Sequence, residues 1–289
     1  MTTQKSKKSK TRNSHIIIYG ILIVLVIITL FPILYTFFSS FKTNIEILAK
    51  PENFFPEKWS LSNYITAWKS PEFPVPRLFI NSVIYSVSTV IITLFLASTG
   101  GYVFARGDFP LKNVIFIVFS SLMFISLGTI TIYALFKVLR ALHLTSSLWT
   151  LIVLKLFGIQ IVNYYLVRSY IKTLPRALDE AARIDGCSFM GIFFRIILPL
   201  LKPILATIGV LAFNSSWNDY LMPTIFTLTD SSQRTLIVGL MALKSTGESA
   251  ASWNLMLAGT VISLIPVLVA YSIGNKYFIS GIASGAVKG

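Results

Sequence analysis

Charged residues along this chain are spaced so that long apolar intervals lie between them. The first interval runs from Asn13 to Phe41, the second lies between Arg77 and Arg106, and the third between Lys112 and Lys137. A fourth, from about Ser146 to Val167, is interrupted only by Lys155. A fifth runs from Pro203 to about Met222, and a sixth from about Met256 to Asn275. A helix needs about 20 apolar residues to cross a hydrocarbon core. The pattern therefore predicts six membrane-spanning helices, near residues 16–38, 80–104, 113–136, 146–167, 203–222 and 256–275. The first follows a basic tail (Lys5, Lys7, Lys8, Lys10, Arg12) that looks at first like the start of a signal peptide. Its apolar part, Ile16 to Phe38, is too long for a signal-peptide core, and no small-x-small cleavage site ends it. It is read as an uncleaved span, with Pro32 kinking its outer third. The predicted fold class is all-α, a polytopic membrane protein.

Composition narrows the function classes. The 289 residues are 54% hydrophobic and 12% charged, with a mean hydropathy of +0.74. Soluble domains carry about 25% charged residues, so this chain has too little polar surface to coat a water-soluble enzyme. A net charge of +14 would suggest nucleic acid in a soluble chain. In so apolar a chain it points instead to basic loops on one side of a bilayer, and no nucleic-acid partner is expected. The single cysteine, Cys187, excludes an internal disulfide, and His15 and His143 are too few for a metal site. No metal or other cofactor is expected.

The positive-inside rule orients the spans. With the N-terminus in the cytoplasm, fifteen basic residues fall in the inner segments and nine in the outer ones. Four acidic residues lie inside and seven outside, leaving net charges of +11 and +2. The chain then divides into a basic cytoplasmic tail (1–15), a membrane domain (16–278) with a long inner loop (168–202), and a C-terminal cytoplasmic tail (279–289). The outer segment from Ser39 to Phe79 is long and rich in proline and aromatics, either a partly ordered connector or a partner contact. The outer loop from Asp219 to Trp253 allows the same two readings. No internal repeat is present.

The inner loop carries the most informative pattern. Thr173 to Gly186 reads as a short helix, with Thr173 as cap, Pro175 in the first turn and Gly186 as the left-handed stop. Asp179 and Arg183 stand four apart and can pair across one turn. Leu174, Ala177, Leu178, Ala181 and Ile184 form a narrow apolar face. About three turns long, the helix is too short and too charged to span. It either rests on the membrane surface or offers its polar face to a partner.

Here the residues resemble a known family. Glu180-Ala181-Ala182, then Gly186, then Ile196-x-Leu198-Pro199 is similar to the EAA loop of binding-protein-dependent ABC importer permeases. The longer form through Arg183, Ile184 and Asp185 resembles the carbohydrate importers, and within them the MalG-type subunits with a MetI-like transmembrane domain. Asn81-Ser82, Tyr102 to Arg106 with Phe109-Pro110, Trp217 to Pro223, and the ending Lys276 to Gly289 fit the same group. Asn275 and Met222 depart from residues common there. The resemblance implies a six-helix permease fold and import of a sugar or oligosaccharide across a bacterial or archaeal cell membrane. It implies as partners a second, homologous permease subunit, two ATP-binding cassette ATPases, an extracytoplasmic solute-binding protein and the carbohydrate itself. Glu180, Ala181, Ala182, Asp185 and Gly186 would then contact the ATPase, with Glu180 facing a basic group. The tail residues Gly285, Ala286, Val287, Lys288 and Gly289 would reach toward the ATPase dimer as a thin extended segment, if the terminus is not simply frayed. The chain has no G-x-x-x-x-G-K-[ST] phosphate loop, so ATP hydrolysis would belong to another polypeptide and this subunit would not be an enzyme. A permease for a peptide, amino acid or anion is the alternative. An ion-coupled carrier fits less well, since no Asp or Glu falls inside a predicted span.

Several polar residues are candidates for the translocation path. Lys155 sits near the middle of the fourth span, where a charge costs about 2.5–3.5 kcal/mol. It either faces the path or a polar partner, or snorkels outward. Asn214, Trp217, Asn218 and Asp219 give the fifth span a polar end that suits sugar hydroxyls, or equally an interfacial helix end with a belt tryptophan. Tyr164 and Tyr165 read as belt residues. The orientation has a direct check. A cysteine replacing Ser188 is expected to react only with reagent admitted to the cytoplasmic side; labelling from outside intact cells would reverse the topology.

Overall fold

The computed structural model describes residues 3–71, 73–125, 130–144, 147–158, 160–245 and 252–286. Among the described residues every regular element is helical and there is no strand. Two compact units are present, one formed by residues 1–73 and 242–262, the other by residues 74–241 and 263–289.

The first unit begins with α1 (Thr3–Ser39), whose apolar part, Ile17–Ser39, is long enough to cross a membrane. Pro32 lies inside the helix without ending it. None of its most apolar stretch is buried within the chain, so this span needs lipid or another subunit around it. Two short helices follow, α2 (Asn44–Ala49) and α3 (Ser62–Lys69). The side-chain amide of Asn63 gathers this region. Its Nδ2 donates to the carbonyls of Ser40 and Lys42, both at 2.8 Å, and its Oδ1 accepts from Asn254 Nδ2 at 2.9 Å. The Lys42 ammonium is buried and donates to the Asn53 carbonyl. Phe38, Phe54, Phe55 and Trp59 pack edge to face beside it. On the loop surface Glu57 bonds Lys50 at 2.6 Å, which raises the lysine's pKa and lowers the carboxyl's.

The second unit is organised by α4 (Val75–Arg106), long enough to span alone. Its buried stripe includes Ser82, Ser86, Thr89, Thr93 and Ser98, while Ile80, Val87, Ile91 and Phe95 are exposed. The polar side of this helix therefore faces protein and the apolar side faces outward, as a span in lipid requires. Ser82 Oγ accepts from the Leu236 amide at 2.7 Å, and Asn81 Nδ2 donates to the carbonyls of Ser232 and Arg234 at 2.9 Å. The Asn81-Ser82 pair thus anchors the 232–236 loop. Just before that loop, Asp230 caps a short 3₁₀ turn, and the bonds it accepts from Ser232 and Gln233 lower its pKa.

The later spans are broken. Helix α5 (Lys112–Ser121) and the 3₁₀ turn Leu122–Phe124 precede α6 (Ile130–Ala141), with residues 126–129 outside the described set. Helices α7 (Leu148–Phe157) and α8 (Ile161–Thr173) bend by 46° where the sequence predicts one span. Helix α9 (Ala177–Ile184) leads to α10 (Phe189–Ile192), a π-helical turn (Phe193–Ile197) and α11 (Leu198–Leu200). After a 75° bend, α12 (Lys202–Trp217) begins. Pro199 and Pro203 have no amide to donate, and a π-helical turn and a restart are how a chain absorbs that. Helix α12 ends at Trp217, so Met222 belongs to a separate helix, α13 (Leu221–Phe226). Helix α14 (Leu236–Ser245) precedes α15 (Trp253–Ala286), which contains Pro266 and has its membrane-length stretch at Trp253–Asn275.

Two apolar clusters sit on α4. Near its end, Ala97, Tyr102 and Ala105 pack with Val167, Ile171, Ala182, Phe193, Ile197 and Ile208. Nearer its start, Tyr85 packs with Leu139, Leu148, Leu151, Ile152 and Phe226. The first depends on close approach of α4 to α8. A Cβ on Gly101 would stand 2.5 Å from Val167 Cβ, and one on Gly100 2.7 Å from the Tyr164 ring. Leucine at Gly101 must therefore push the helices apart. Overpacking of this kind costs about 1–3 kcal/mol or more. Gly101→Leu is expected to lower the thermal unfolding temperature of the detergent-solubilised protein, whereas Gly20→Leu, with open space around its Cβ, should leave it unchanged.

Candidate functional site

The sequence Tyr102 to Arg106 ends α4 and holds the 168–202 loop. Arg106 Nε lies 2.7 Å from Asp179 Oδ2, with both side chains under a tenth exposed. The same guanidinium donates through Nη2 to the Leu174 carbonyl at 2.9 Å. Tyr102 Oη donates to the Phe189 carbonyl at 3.0 Å, and its ring stacks near Phe189 and Phe193. Arg168, from α8, donates to the Phe104 carbonyl at 3.2 Å and lies 3.8 Å over the Phe116 ring. These contacts fasten both ends of the α9 segment to α4. Arg106, Asp108, Lys112, Arg176, Glu180 and Arg183 surround a polar cavity of about 310 Å³ next to the ion pair.

Three sequence expectations on α9 are corrected here. Asp179 does not pair with Arg183 four residues on; it turns inward to Arg106, and Arg183 is exposed. Thr173 does not cap α9. It is the last residue of α8, with its hydroxyl on the Tyr170 carbonyl, and α9 starts after Arg176 with no side-chain cap. Ala182 belongs to the apolar cluster on α4 and is 4% exposed, so it faces this chain and not a partner. The predicted apolar face is real but points outward, with Ala177, Leu178, Ala181 and Ile184 exposed. Glu180 and Asp185 are exposed beside it. Gly186 has φ of +79°, the left-handed stop that the sequence predicts.

At the C-terminus the backbone of α15 is helical through Gly285 and Ala286, where a thin extended segment was expected. Val287, Lys288 and Gly289 lie outside the described residues.

The residues proposed for a path separate into two groups. Lys155, in the last turn of α7, lines a cavity of about 540 Å³ shared with Thr89, Thr93, Gln160, Asn163 and Ser215. Its ammonium sits 5.6 Å from the centroid of the buried Tyr85 ring. Tyr85 Oη donates to Asp219 Oδ2 at 2.8 Å, while Asp219 Oδ1 accepts from the Met222 amide at 3.3 Å. Asp219 therefore fastens α13 to α4. Trp217 is buried, stacks on Phe213, and donates its indole N–H to the Ser263 carbonyl at 3.1 Å, as a buried tryptophan must. Asn218 donates to Asn214 at 2.9 and 3.0 Å, and both are exposed away from that cavity. Thr89, Thr93, Gln160 and Asn163 were missed by the sequence reading. Ser and Thr recurring along α4 at helical spacing were the available signal.

A bundle of broken apolar helices that clamps a short surface helix to its longest span defines a polytopic membrane transport component. The chain belongs to the family of binding-protein-dependent transport system inner membrane components, whose profile matches residues 78–283. It is 34% identical over 268 residues to the arabinooligosaccharides transport system permease protein AraQ of Bacillus subtilis, covering 92% of this chain and 93% of the relative. It is 32% identical over 281 residues to the inner membrane ABC transporter permease protein YcjP of Escherichia coli, covering 97% and 99%. Its fold resembles a chain of a bacterial ABC transporter that imports the acidic polysaccharide alginate. The TM-score is 0.80 at 23% identity, over 93% of this chain and 98% of that one. Among the described residues three helices are long enough to cross a membrane alone, up to five spans result if each of two bent pairs counts as one, and Lys112–Phe124 is a shorter apolar helix. The six-span reading is consistent with the family.

The ion pair can be tested directly. Removing one partner of a buried pair costs about 3–5 kcal/mol, because the other is left charged and unpaired. Asp179→Ala is expected to destabilise the solubilised protein and to open the 174–189 segment to protease. Arg106→Ala combined with Asp179→Ala should recover part of that loss, since no buried charge is then stranded.

Proposed function

We propose that this chain is a permease subunit of an ATP-driven importer that moves a sugar or oligosaccharide delivered by an extracytoplasmic binding protein. The 168–202 loop lies in the cytoplasm, as the charge asymmetry of the loops favours, and α9 is where an ATPase subunit docks. ATP hydrolysis resides in that separate subunit. A second, homologous permease completes the membrane part, and residues Ser284 to Gly289 extend toward the ATPase pair.

The observation that carries this reading is the two-faced character of α9. Asp179 and Ala182 fix it to α4, while Glu180, Ala181 and Ile184 remain outside. Such a helix transmits force: a partner that shifts its outer face also shifts Arg106 and the end of α4. A helix that merely rested on lipid would not need a buried ion pair to a span. Permeases for oligosaccharides among the relatives, together with the carbohydrate-type EAA segment, support a saccharide as the cargo.

Glu180 is the point to test. It is exposed on a short helix, so replacing it opens no cavity in this chain. If it meets a basic group of the ATPase in a partly desolvated cleft, losing it costs about 2–5 kcal/mol of docking. Glu180→Lys is expected to abolish both copurification of the ATPase and binding-protein-dependent sugar uptake, more completely than Glu180→Ala. Normal uptake by a well-expressed Glu180→Lys protein would refute the docking role.

A further inference from the structure

We propose that the imported saccharide carries an acid group, and that Lys155 is the residue of this subunit that recognises it. The inference rests on the permease reading above and adds the chemical class of the cargo.

An ammonium inside a span is costly and is normally paired. Lys155 is not. Among the described residues no carboxylate stands within ion-pair distance of it, and its one close partner is the face of the Tyr85 ring. Asp219, which the Tyr85 hydroxyl bonds, has its two oxygens on that hydroxyl and on the Met222 amide. The break after Phe157 brings the carbonyl end of α7 close to Lys155, which eases the charge without neutralising it. Lys155 is half-buried, and its side chain lines an open cleft of about 540 Å³.

Most of that cleft is apolar, lined by Leu151, Leu154, Ile208 and Leu211 among others, and the polar groups set into it suit a saccharide. Thr89 is 6% exposed, and its hydroxyl has no hydrogen-bond partner. A buried hydroxyl left unpaired costs free energy unless something fills the cavity and bonds to it. Gln160 Oε1 accepts from Asn163 Nδ2 at 3.0 Å, which leaves the Gln160 donor and the Asn163 acceptor unengaged by side-chain partners. Hydroxyl and amide groups of this kind match sugar hydroxyls, and the unpaired cation beside them matches a carboxylate. A neutral sugar would leave Lys155 uncompensated as it passed.

The test uses the complete transporter, with its binding protein, in cells lacking other saccharide importers. Uptake is measured for a panel of labelled di- and tri-uronates and for the same compounds after reduction of each carboxyl to a hydroxymethyl group. At least one uronate is expected to enter about tenfold or more faster than its reduced counterpart. Lys155→Gln should lower uptake of that uronate about tenfold through KM, leave the reduced compound unaffected, and be rescued by Lys155→Arg. Copurification of the ATPase with each variant shows that the assembly is intact. Entry of reduced or other neutral oligosaccharides at rates equal to the uronates would overturn the acid-cargo inference while leaving the sugar permease reading in place. An equal loss of both compounds in Lys155→Gln would mean that Lys155 is structural, paired with an acid of the second permease, and would also overturn it. Uptake of no saccharide at all would overturn both readings.

Discussion

A polar side chain in a bilayer has no water to fall back on, so a hydroxyl, amide or charge left without a partner in a span is costly. Helix α4 is built around that constraint. Its Ser and Thr positions recur on one side, and the rest of the second unit is arranged over them. Asn81 and Ser82 hold the 232–236 loop, Tyr85 holds Asp219 and with it α13, and Tyr102 and Arg106 hold the α9 segment. Each attachment pairs a polar group on the span with a distant backbone or side chain. The apolar clusters fill the space between these attachments. Hydrophobic contact alone could not specify this arrangement in lipid, where an exposed leucine loses nothing by facing the tails.

The clamp on α9 follows the same logic at the end of the helix. Burying a guanidinium and a carboxylate is expensive, and a hydrophobic pair of similar volume would hold the loop equally well or better. What an ion pair adds is direction. Arg106 stands against the Asp179 carboxylate as an ion pair and donates to the Leu174 carbonyl, so it fixes where α9 starts and which side of it turns inward. With Asp179 and Ala182 committed inward, 3.6-residue periodicity leaves Ala177, Glu180, Ala181 and Ile184 on the outside. The ion pair thus leaves a surface helix with one defined outer face.

Much of this was legible in the sequence, and the failures have a common cause. Long apolar intervals marked the helices at Ile17–Ser39, Val75–Arg106 and Trp253–Asn275, and the glycine of the EAA segment marked its stop, because both depend on local composition. Spacing enumerates only neighbours on the same helix. It therefore offered Arg183 as the partner of Asp179, whereas the chosen partner lies 73 positions earlier, at Arg106. Thr173 looked like a cap because cap chemistry is local, yet α8 continues through it. Asp219 and Trp217 read either as groups lining a path or as an interfacial helix end. The carboxylate and the indole N–H instead satisfy Tyr85 and Ser263, on parts of the chain that spacing cannot bring together. Apolar content also hid the breaks at Gly158 and Leu201, since a bent span and a straight one have the same hydropathy.

Those breaks explain where the cavity lies. The two apolar clusters occupy different stretches of α4, around Tyr85 and from Ala97 onward, and Thr89 and Thr93 fall between them. The gap persists because α7 ends at Phe157 and α8 starts again at Ile161 at an angle, so no continuous helix closes over that part of α4. Irregular backbone at membrane depth is tolerated only where it is buried in protein or lines a cavity. The break itself lines that cleft, through Gly158, Gln160 and Ile161. The Gly100–Gly101 contact then sets how closely α8 approaches the same helix a few turns away. A shift of α8 at that contact would change the opening beside Thr89, and α8 leads directly into the segment that Arg106 holds. Helices α4 and α8 thus both contribute to the cleft and to the seat of the surface helix.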